Sequence, residues 1–264
     1  MESWGYGDDG CGIEMIRNNK LDQFEIKRSR ACRFVGDRSQ LIKQLEKEGK
    51  LFSPQYYCMA KGGYCADDEV CVALVSRAHL PTRFGEFDIA IFENNKDQKE
   101  HLIISRGDLD NATEVPVRLH SQCQTGDIFG SLRCDCRDQL EHALQTFAMM
   151  DRAVLLYLKQ EGRGIGLANK IRAYHLQEQG MDTVEANIAL GFQDDLRTYE
   201  IAASMLKLLN IKSIVLYTNN PEKIKGLTNN GIEIVRRERI VMPPTPYNID
   251  YLDTKKKKAG HLLD

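Results

Sequence analysis

The sequence lacks the features that direct a chain to a membrane, to secretion or to nucleic acid. None of its apolar runs approaches the roughly 18 residues that span a bilayer, and the polar start Met1–Asp9 is no signal peptide. A formal net charge of −2 gives no general attraction to nucleic acids or membrane surfaces. Lys255–Lys258 is expected to be a solvated tail. These absences favour a cytoplasmic globular enzyme without nucleic-acid or membrane partners.

Two regions of different texture divide the chain. Its 264 residues, 42% of them apolar, suffice for one large domain or two smaller ones. Residues 1–74 are predicted to be an N-terminal extension, disordered at its Gly- and Asp-rich start, with a short charged helix over 39–50. From 75 to 264, strand-like runs alternate with helical patterns and predict one catalytic domain.

This alternation predicts an α/β domain. Ala153–Leu158 is a continuous apolar run, typical of a strand buried on both faces. Ligands of such folds bind at the turns that lead from a strand into a helix. Strands are predicted at 72–76, 87–92, 102–105, 115–119, 153–158, 213–217 and 231–235, and helices at 139–150, 167–179, 198–209 and 221–230.

Three cysteines form the most informative motif. Cys123, Cys134 and Cys136 have the spacing C-x10-C-x-C, directly after the strand-like run Val115–Leu119. Thiolates suit Zn²⁺, and three protein ligands leave the fourth tetrahedral position open, as in a catalytic zinc site. Three buried core thiols are the alternative, which the polar, Gly-containing surroundings disfavour. The spacing therefore predicts a catalytic zinc.

A second group, Cys58, Cys65 and Cys71, has a less informative spacing. Its pattern C-x6-C-x5-C matches none of the usual zinc-finger or zinc-ribbon patterns. Eight cysteines without a secretory signal suggest a reducing compartment, where thiols bind metal or stay free. We expect ordinary packed thiols here, with a structural zinc as the alternative.

Two turns between a predicted strand and a predicted helix are candidate phosphate sites. In Gln160–Gly166 the glycines permit a close backbone approach, and Arg163 offers a forked donor suited to phosphate. In the second turn Asn220 is placed as an N-cap, and Thr218 and Lys223 add a hydroxyl and a cation. A plain capped helix is the alternative for this second turn.

Arg197 stands just before the helix predicted from Thr198. An arginine in a first helical turn opposes the helix dipole by about 0.3–1 kcal/mol, and a residue tolerated against its local preference points to function. A surface salt bridge is the ordinary explanation. Tyr174 falls on the apolar face of its predicted helix, where a core aromatic is the alternative to a functional role.

Taken together, these segments resemble the GTP cyclohydrolase II family. The resemblance covers about Val75 to Leu263 and is carried by specific motifs in the family's order. It implies an α/β fold with a mixed sheet, and a homodimer. The matching blocks are Arg118–Asp127, Ser131–Cys136, Gln160–Tyr174, Asp182–Asn187, Thr218–Pro221 and Tyr251–Lys255.

The resemblance also implies a reaction. Cys123, Cys134 and Cys136 would hold a Zn²⁺ that activates water for attack on C8 of the guanine of GTP. The products would be formate, pyrophosphate and 2,5-diamino-6-ribosylamino-4(3H)-pyrimidinone 5′-phosphate, in the first step of riboflavin biosynthesis. Arg197 would attack the α-phosphate or only stabilise its charge, with Mg²⁺ screening the triphosphate.

The remaining roles follow by the same matching. Asp195 would be the base for Arg197, and Tyr174 would be catalytic near the zinc. The residues expected to contact GTP are Arg118, Leu119, His120, Ser121, Gln122, Gln139, Glu161, Gly162, Arg163, Thr183, Thr218 and Lys223.

Two positions depart from the family pattern. Gln122 stands where many members have glutamate, and Arg137 stands where glycine is common. Both bear on nucleotide preference and rate more than on reaction class. The alternatives to a GTP cyclohydrolase are therefore a divergent paralogue acting on another nucleotide or pyrimidine, and a non-catalytic nucleotide-binding protein of the same fold.

Overall fold

The chain divides into two compact units. The first extends to Val75 and includes Phe92–Gln98, and the second comprises Ser76–Ile91 and Lys99–Asp264. The predicted division into an extension over 1–74 and a catalytic domain stays a prediction. The computed structural model describes residues 14–17, 24–27, 63–66, 70–97, 99–249, 251, 256 and 260. The helix expected over 39–50 lies outside them.

The first unit contains short antiparallel strand pairs. Strand β1 (Glu14–Arg17) pairs with β2 (Phe24–Lys27). Strand β3 (Gly63–Ala66) pairs with the beginning of β4 (Val70–Thr82). This unit therefore places a small hairpin at the start of the long strand β4.

Cys71 departs from the prediction for the second cysteine group. It lies fully buried in β4 and is disulfide-bonded, so the expectation of a free or metal-bound thiol is wrong at this position. The antiparallel register sets the backbone of Cys65 directly opposite Cys71. Cys58 and the side chain of Cys65 lie outside the description.

The second unit is built on a mixed sheet with the strand order β10-β9-β7-β8-β6-β5-β4. Strand β7 is parallel to both β8 and β9, β9 is parallel to β10, and β6 is antiparallel to β8. The bounds are β5 Gly85–Asn94, β6 His101–Arg106, β7 Val115–Ser121, β8 Ala153–Leu158, β9 Ser213–Tyr217 and β10 Glu233–Glu238. The predicted α/β fold with a mixed sheet is confirmed.

Helices follow the strands of this unit. They are α1 Gln124–Asp127, α2 Cys136–Ala148, α3 Gly166–Glu178, α4 Thr183–Ala189, α5 Glu200–Leu208 and α6 Pro221–Asn229. The sequence patterns predicted α2, α3, α5 and α6 to within a few residues at each end. They missed α4, although its start is well marked: the carboxylate of Asp182 accepts from the N–H of Glu185, whose own carboxylate accepts from the N–H of Asp182. Among the described residues, no helix is long and apolar enough to cross a membrane.

The packing of α2 against the sheet positions the cysteine motif. Leu144 and Phe147 of α2 form a buried cluster with Phe87, Leu155 and Ile240. The ring of Phe147 also meets that of Tyr217 edge-on, with centroids 5.2 Å apart. Because this core fixes the axis of α2, it also fixes Cys136, the first residue of the helix.

Candidate active site

The three cysteines of the C-x10-C-x-C motif converge. Cys123 follows β7, whereas Cys134 and Cys136 stand at the entrance to α2, and all three thiols are free of disulfides. Their sulfurs lie within 4.8 Å of one another, and Cys123 Sγ is 3.6 Å from Cys134 Sγ. Sulfurs on a tetrahedral Zn²⁺ are about 3.8 Å apart, since each Zn–S bond is about 2.3 Å. The spacing of the sulfurs therefore fits zinc.

Gly126 lies against this thiol cluster. A Cβ at Gly126 would lie 3.0 Å from Cys134 Sγ, 3.1 Å from Cys123 Sγ and 3.2 Å from Cys136 Cβ. The short turn α1 thus brings its backbone into the space between the two cysteine segments. A larger residue would press its Cβ against both sulfurs, which fits a ligand set drawn together around one point rather than thiols packed apart in a core.

The carboxylate of Asp127 holds the first cysteine segment in place. It accepts hydrogen bonds from the backbone N–H of Cys123 at 2.9 Å and from the Tyr157 hydroxyl at 2.8 Å. His120 Nε2 lies 3.0 Å from the same carboxylate. Burial lowers the pKa of His120, although Asp127 opposes the shift. The sequence motifs gave Asp127 and Tyr157 no role.

Lys170 and Glu161 form a second buried polar group beside Cys123. Lys170 Nζ lies 3.1 Å from Cys123 Sγ and 2.8 Å from Glu161 Oε1. Hydrogen bonds from Cys134 and Cys136, together with the charge of Lys170, lower the pKa of Cys123. Burial disfavours the charged form of Lys170, but Cys123 and Glu161 outweigh burial and raise its pKa. The sequence patterns assigned Lys170 no role. The one indication of a role is its position a helical turn before Tyr174.

A cavity of about 730 Å³ opens beside the thiol cluster. A pocket of this volume is of the size that binds a small ligand. All three cysteines line it, together with Lys170 and Arg133. The predicted catalytic and substrate-binding residues on its wall are Ser121, Gln122, Glu161, Gly162, Arg163, Tyr174, Thr183 and Arg197.

The other predicted GTP contacts are not among the residues that line the cavity. Arg118 is buried and donates to the side-chain oxygen of Gln139 at 2.6 Å, and burial lowers its pKa to about 10. Lys223 Nζ donates to the carbonyl of Leu119 at 2.6 Å. The residues outside the cavity lining are Arg118, Leu119, His120, Gln139, Thr218 and Lys223. Their role as GTP contacts stays a prediction.

The Gly-rich segment forms a tight turn between β8 and α3. Gly162, Arg163 and Gly164 all have positive φ, at 62°, 56° and 94°. For Arg163 this is an uncommon conformation. Its side chain forms an ion pair with Asp194, and its carbonyl accepts from the N–H of Leu196 at 3.0 Å. These bonds hold Arg163 at the cavity wall.

Arg197 and Asp195 form an ion pair on the same side of the cavity. Arg197 Nε donates to Asp195 Oδ1 at 2.8 Å, and Nη1 lies 3.5 Å from Ser121 Oγ. Burial opposes both charges, yet the pair raises the pKa of Arg197 and lowers that of Asp195. Helix α5 begins only at Glu200, so the predicted first-turn position of Arg197, and the dipole argument built on it, are wrong.

Tyr174 on α3 faces the cavity. Its hydroxyl lies 3.2 Å from Thr125 Oγ1, and the guanidinium of Arg133 stacks 4.7 Å from its ring centre. Burial raises the pKa of Tyr174, so its hydroxyl keeps its proton at neutral pH. The ring is therefore part of the site wall rather than of the hydrophobic core.

The two departures from the family pattern differ in location. Gln122 lines the cavity next to Cys123. Arg137 instead points away from the main cavity and donates to Glu141 at 2.9 Å, one turn further along α2. Only Gln122 is therefore placed to influence the choice of ligand directly.

The chain is similar in sequence to proteins of one known family. Residues 73–239 match the family model described as GTP cyclohydrolase II. The GTP cyclohydrolase-2 of Picrophilus torridus is 51% identical over 192 residues, which cover 73% of this chain and 100% of the relative. That of Tolumonas auensis is 53% identical over 192 residues, covering 73% and 98%.

Two further matches cover part of a longer protein. The riboflavin biosynthesis protein RibBA of Endomicrobium trichonymphae is 52% identical over 195 residues, which cover 74% of this chain but 48% of the relative. One solved structure is that of RibBX of A. baumannii, a two-domain 3,4-dihydroxy-2-butanone 4-phosphate synthase. Its match covers 83% of this chain and 54% of the RibBX chain, with a TM-score of 0.36 and 17% sequence identity. Because the family model and relatives matched over nearly their full length agree, this chain belongs to the GTP cyclohydrolase II family of enzymes.

Proposed function

We propose that the protein hydrolyses GTP to formate, pyrophosphate and 2,5-diamino-6-ribosylamino-4(3H)-pyrimidinone 5′-phosphate, as the first step of riboflavin biosynthesis. The observation that carries the proposal is the convergence of three free thiols on the wall of a cavity that also presents cationic side chains. A metal-ligand set supports chemistry on the base, and the cations support binding of the triphosphate.

The cysteine end of the cavity would bind the guanine. Cys123, Cys134 and Cys136 would hold Zn²⁺, which when bound supplies Lewis acidity and makes water a nucleophile at neutral pH. Tyr174 keeps its proton and has its hydroxyl near the thiol cluster, so it is suited to donate a hydrogen bond or a proton to the opening ring. Gln122 and Glu161 would contact the polar edge of the base.

The arginine side chains on the cavity wall would bind the phosphates. Arg163 is fixed by Asp194, and Arg197 is fixed by Asp195, so both guanidinium groups are oriented before a ligand arrives. The Asp195 pair keeps Arg197 protonated, which favours stabilisation of phosphoryl charge over covalent attack unless the pair opens. Mg²⁺ would bridge the triphosphate oxygens.

Product analysis tests the proposal. Metal-analysed protein is incubated anaerobically with GTP and Mg²⁺, and formate, pyrophosphate and the pyrimidine are measured. We expect Cys134→Ser to lose zinc and formate release together. Arg197→Ala should slow pyrophosphate release by about 10²–10³-fold, as expected for a lost charge-stabilising donor. Arg172→Ala, on the exposed face of α3, is the control and should retain wild-type rates.

A divergent substrate is the second candidate, and Gln122 is the observation that favours it. Because Gln122 lines the cavity and is neutral, it offers an amide donor where a carboxylate would only accept. If zinc-loaded protein binds GTP without releasing formate or pyrophosphate, other nucleotides and the variant Gln122→Glu are assayed next. A homodimer and a cytoplasmic location belong to the same proposal.

A further inference from the structure

Lys170 contacts a residue of the candidate metal site, although the reaction outlined above gives it no role. Its ammonium group lies 3.1 Å from Cys123 Sγ and 2.8 Å from Glu161 Oε1. The Lys170 side chain is only 11% exposed. Burial of a cation is costly unless it is paired, so this ammonium group depends on its two anionic neighbours.

Glu161 fixes the position of Lys170. Its Oε1 accepts from Lys170 and from the N–H of Gly162 at 3.0 Å, and its Oε2 accepts from the N–H of Gln124 at 2.6 Å. Gln124 directly follows Cys123 in the chain. One carboxylate therefore joins the lysine, the Gly-rich turn and the backbone of the first cysteine segment.

The charges explain why a cation belongs here. Three thiolates and the Glu161 carboxylate are four negative groups, and a divalent metal ion offsets two of them. Lys170 offsets a third at the one sulfur that it contacts. A hydrogen bond to a thiolate also withdraws electron density from the sulfur, so the sulfur donates less to a bound metal.

We propose that Lys170 is a positioning residue that donates an N–H···S hydrogen bond to the Cys123 thiolate and offsets its charge in the metal-loaded protein. The proposal rests on the proposed zinc site. By lowering the donor strength of one ligand, Lys170 keeps the bound metal electron-poor, and it holds Cys123 in the orientation that the other two sulfurs require.

Cobalt substitution tests this role without relying on activity. The full chain is reconstituted anaerobically with Co²⁺, and the sulfur-to-cobalt charge-transfer absorption is recorded for wild type, Lys170→Met, Lys170→Arg and Glu161→Gln. Loss of the hydrogen bond raises the energy of the sulfur lone pairs, so the band of Lys170→Met should move to longer wavelength. Lys170→Arg keeps a charged donor and should restore the band. We expect zinc affinity of Lys170→Met, measured against a chromophoric chelator, to fall by about 10- to 100-fold, because Cys123 loses the contact that orients it and this loss outweighs its stronger donation to the metal.

A matched control and a second variant make the result decisive. Arg172→Met removes one positive charge from the exposed face of the same helix and should leave the band unchanged. An unchanged band in Lys170→Met, with normal cobalt uptake, overturns the role of Lys170 and leaves the zinc site standing. If Lys170→Met does not fold, Glu161→Gln decides, since its amide oxygen can still accept from the N–H of Gln124 while its NH2 group no longer accepts from Lys170: a shifted band supports the proposal and an unshifted band overturns it. If wild type takes up neither cobalt nor zinc, the proposed function fails, and this inference with it.

Discussion

Replacing Gly126 with alanine should weaken metal binding while sparing the fold. The new Cβ would lie 3.0 Å from Cys134 Sγ and 3.1 Å from Cys123 Sγ, whereas ordinary contacts begin at about 3.5 Å. The two sulfurs must therefore retreat by about 0.4–0.5 Å, at least twice the roughly 0.2 Å that metal–ligand distances tolerate. Overpacking of this kind costs about 1–3 kcal/mol, which corresponds to about a 5- to 150-fold loss of zinc affinity at 1.4 kcal/mol per factor of ten.

Two measurements separate this effect from general damage. Zinc affinity is measured by competition with a chromophoric chelator, and stability is measured by urea denaturation of the metal-free protein. Without metal the thiols are free to rotate away, and alanine is favoured over glycine in a helical turn, so unfolding of Gly126→Ala should be close to wild type. Gly226→Ala is the matched control: its Cβ would meet Tyr199 Cδ2 at 2.5 Å, so it should lower stability and retain zinc. Wild-type zinc affinity in Gly126→Ala would refute the convergence of the sulfurs around this turn.

Three further predictions concern the surroundings of the thiol cluster. Asp127→Asn should lower the free energy of unfolding by about 1–3 kcal/mol, because it leaves buried donors poorly satisfied; an unchanged urea midpoint would contradict this. Burial holds the pKa of His120 below its ordinary value of 6.5, so the unfolded chain binds the proton more readily and stability is lost as pH falls below 6.5. Urea titrations at pH 5 and pH 7 should show this loss, and His120→Gln should reduce it. Removal of zinc by a chelator should lower Tm by about 8–16 °C, since a ligand at a thousand times its Kd adds about 4 kcal/mol and a domain of this size shifts about 2–4 °C per kcal/mol; equal Tm values with and without chelator would argue against a bound metal.

Local sequence patterns were sufficient for the parts of the fold that depend on one segment. Ala153–Leu158 and Ser213–Tyr217 were predicted with their observed bounds, because continuous apolar runs between polar residues mark buried strands clearly. The N-cap of α6 was predicted at Asn220, and its side chain accepts from the N–H of Glu222. The convergence of Cys123, Cys134 and Cys136 was predictable because they stand close together in the chain.

Interactions between distant segments were not predictable in this way. Lys170 is 47 residues from Cys123, and its neighbours in the chain do not indicate that its ammonium group contacts a cysteine. Asp127 was given no role of its own, because its partner Tyr157 lies 30 residues further along the chain. The start of α5 was misplaced by two residues, since Arg197 is held by Asp195 in a segment without regular secondary structure, an arrangement that periodicity does not detect.

The bond between Lys223 and the carbonyl of Leu119 has a consequence for how the protein folds. It joins residues 104 positions apart, at the end of β7 from which the cysteine segment departs. Strand β7 also takes its register from β9, which follows it by about a hundred residues. Closing so long a loop is slow relative to forming local helices. The metal ligands should therefore reach their final geometry late in folding, and zinc added at intervals during refolding should bind only after the β9–α6 region has become protected from hydrogen exchange.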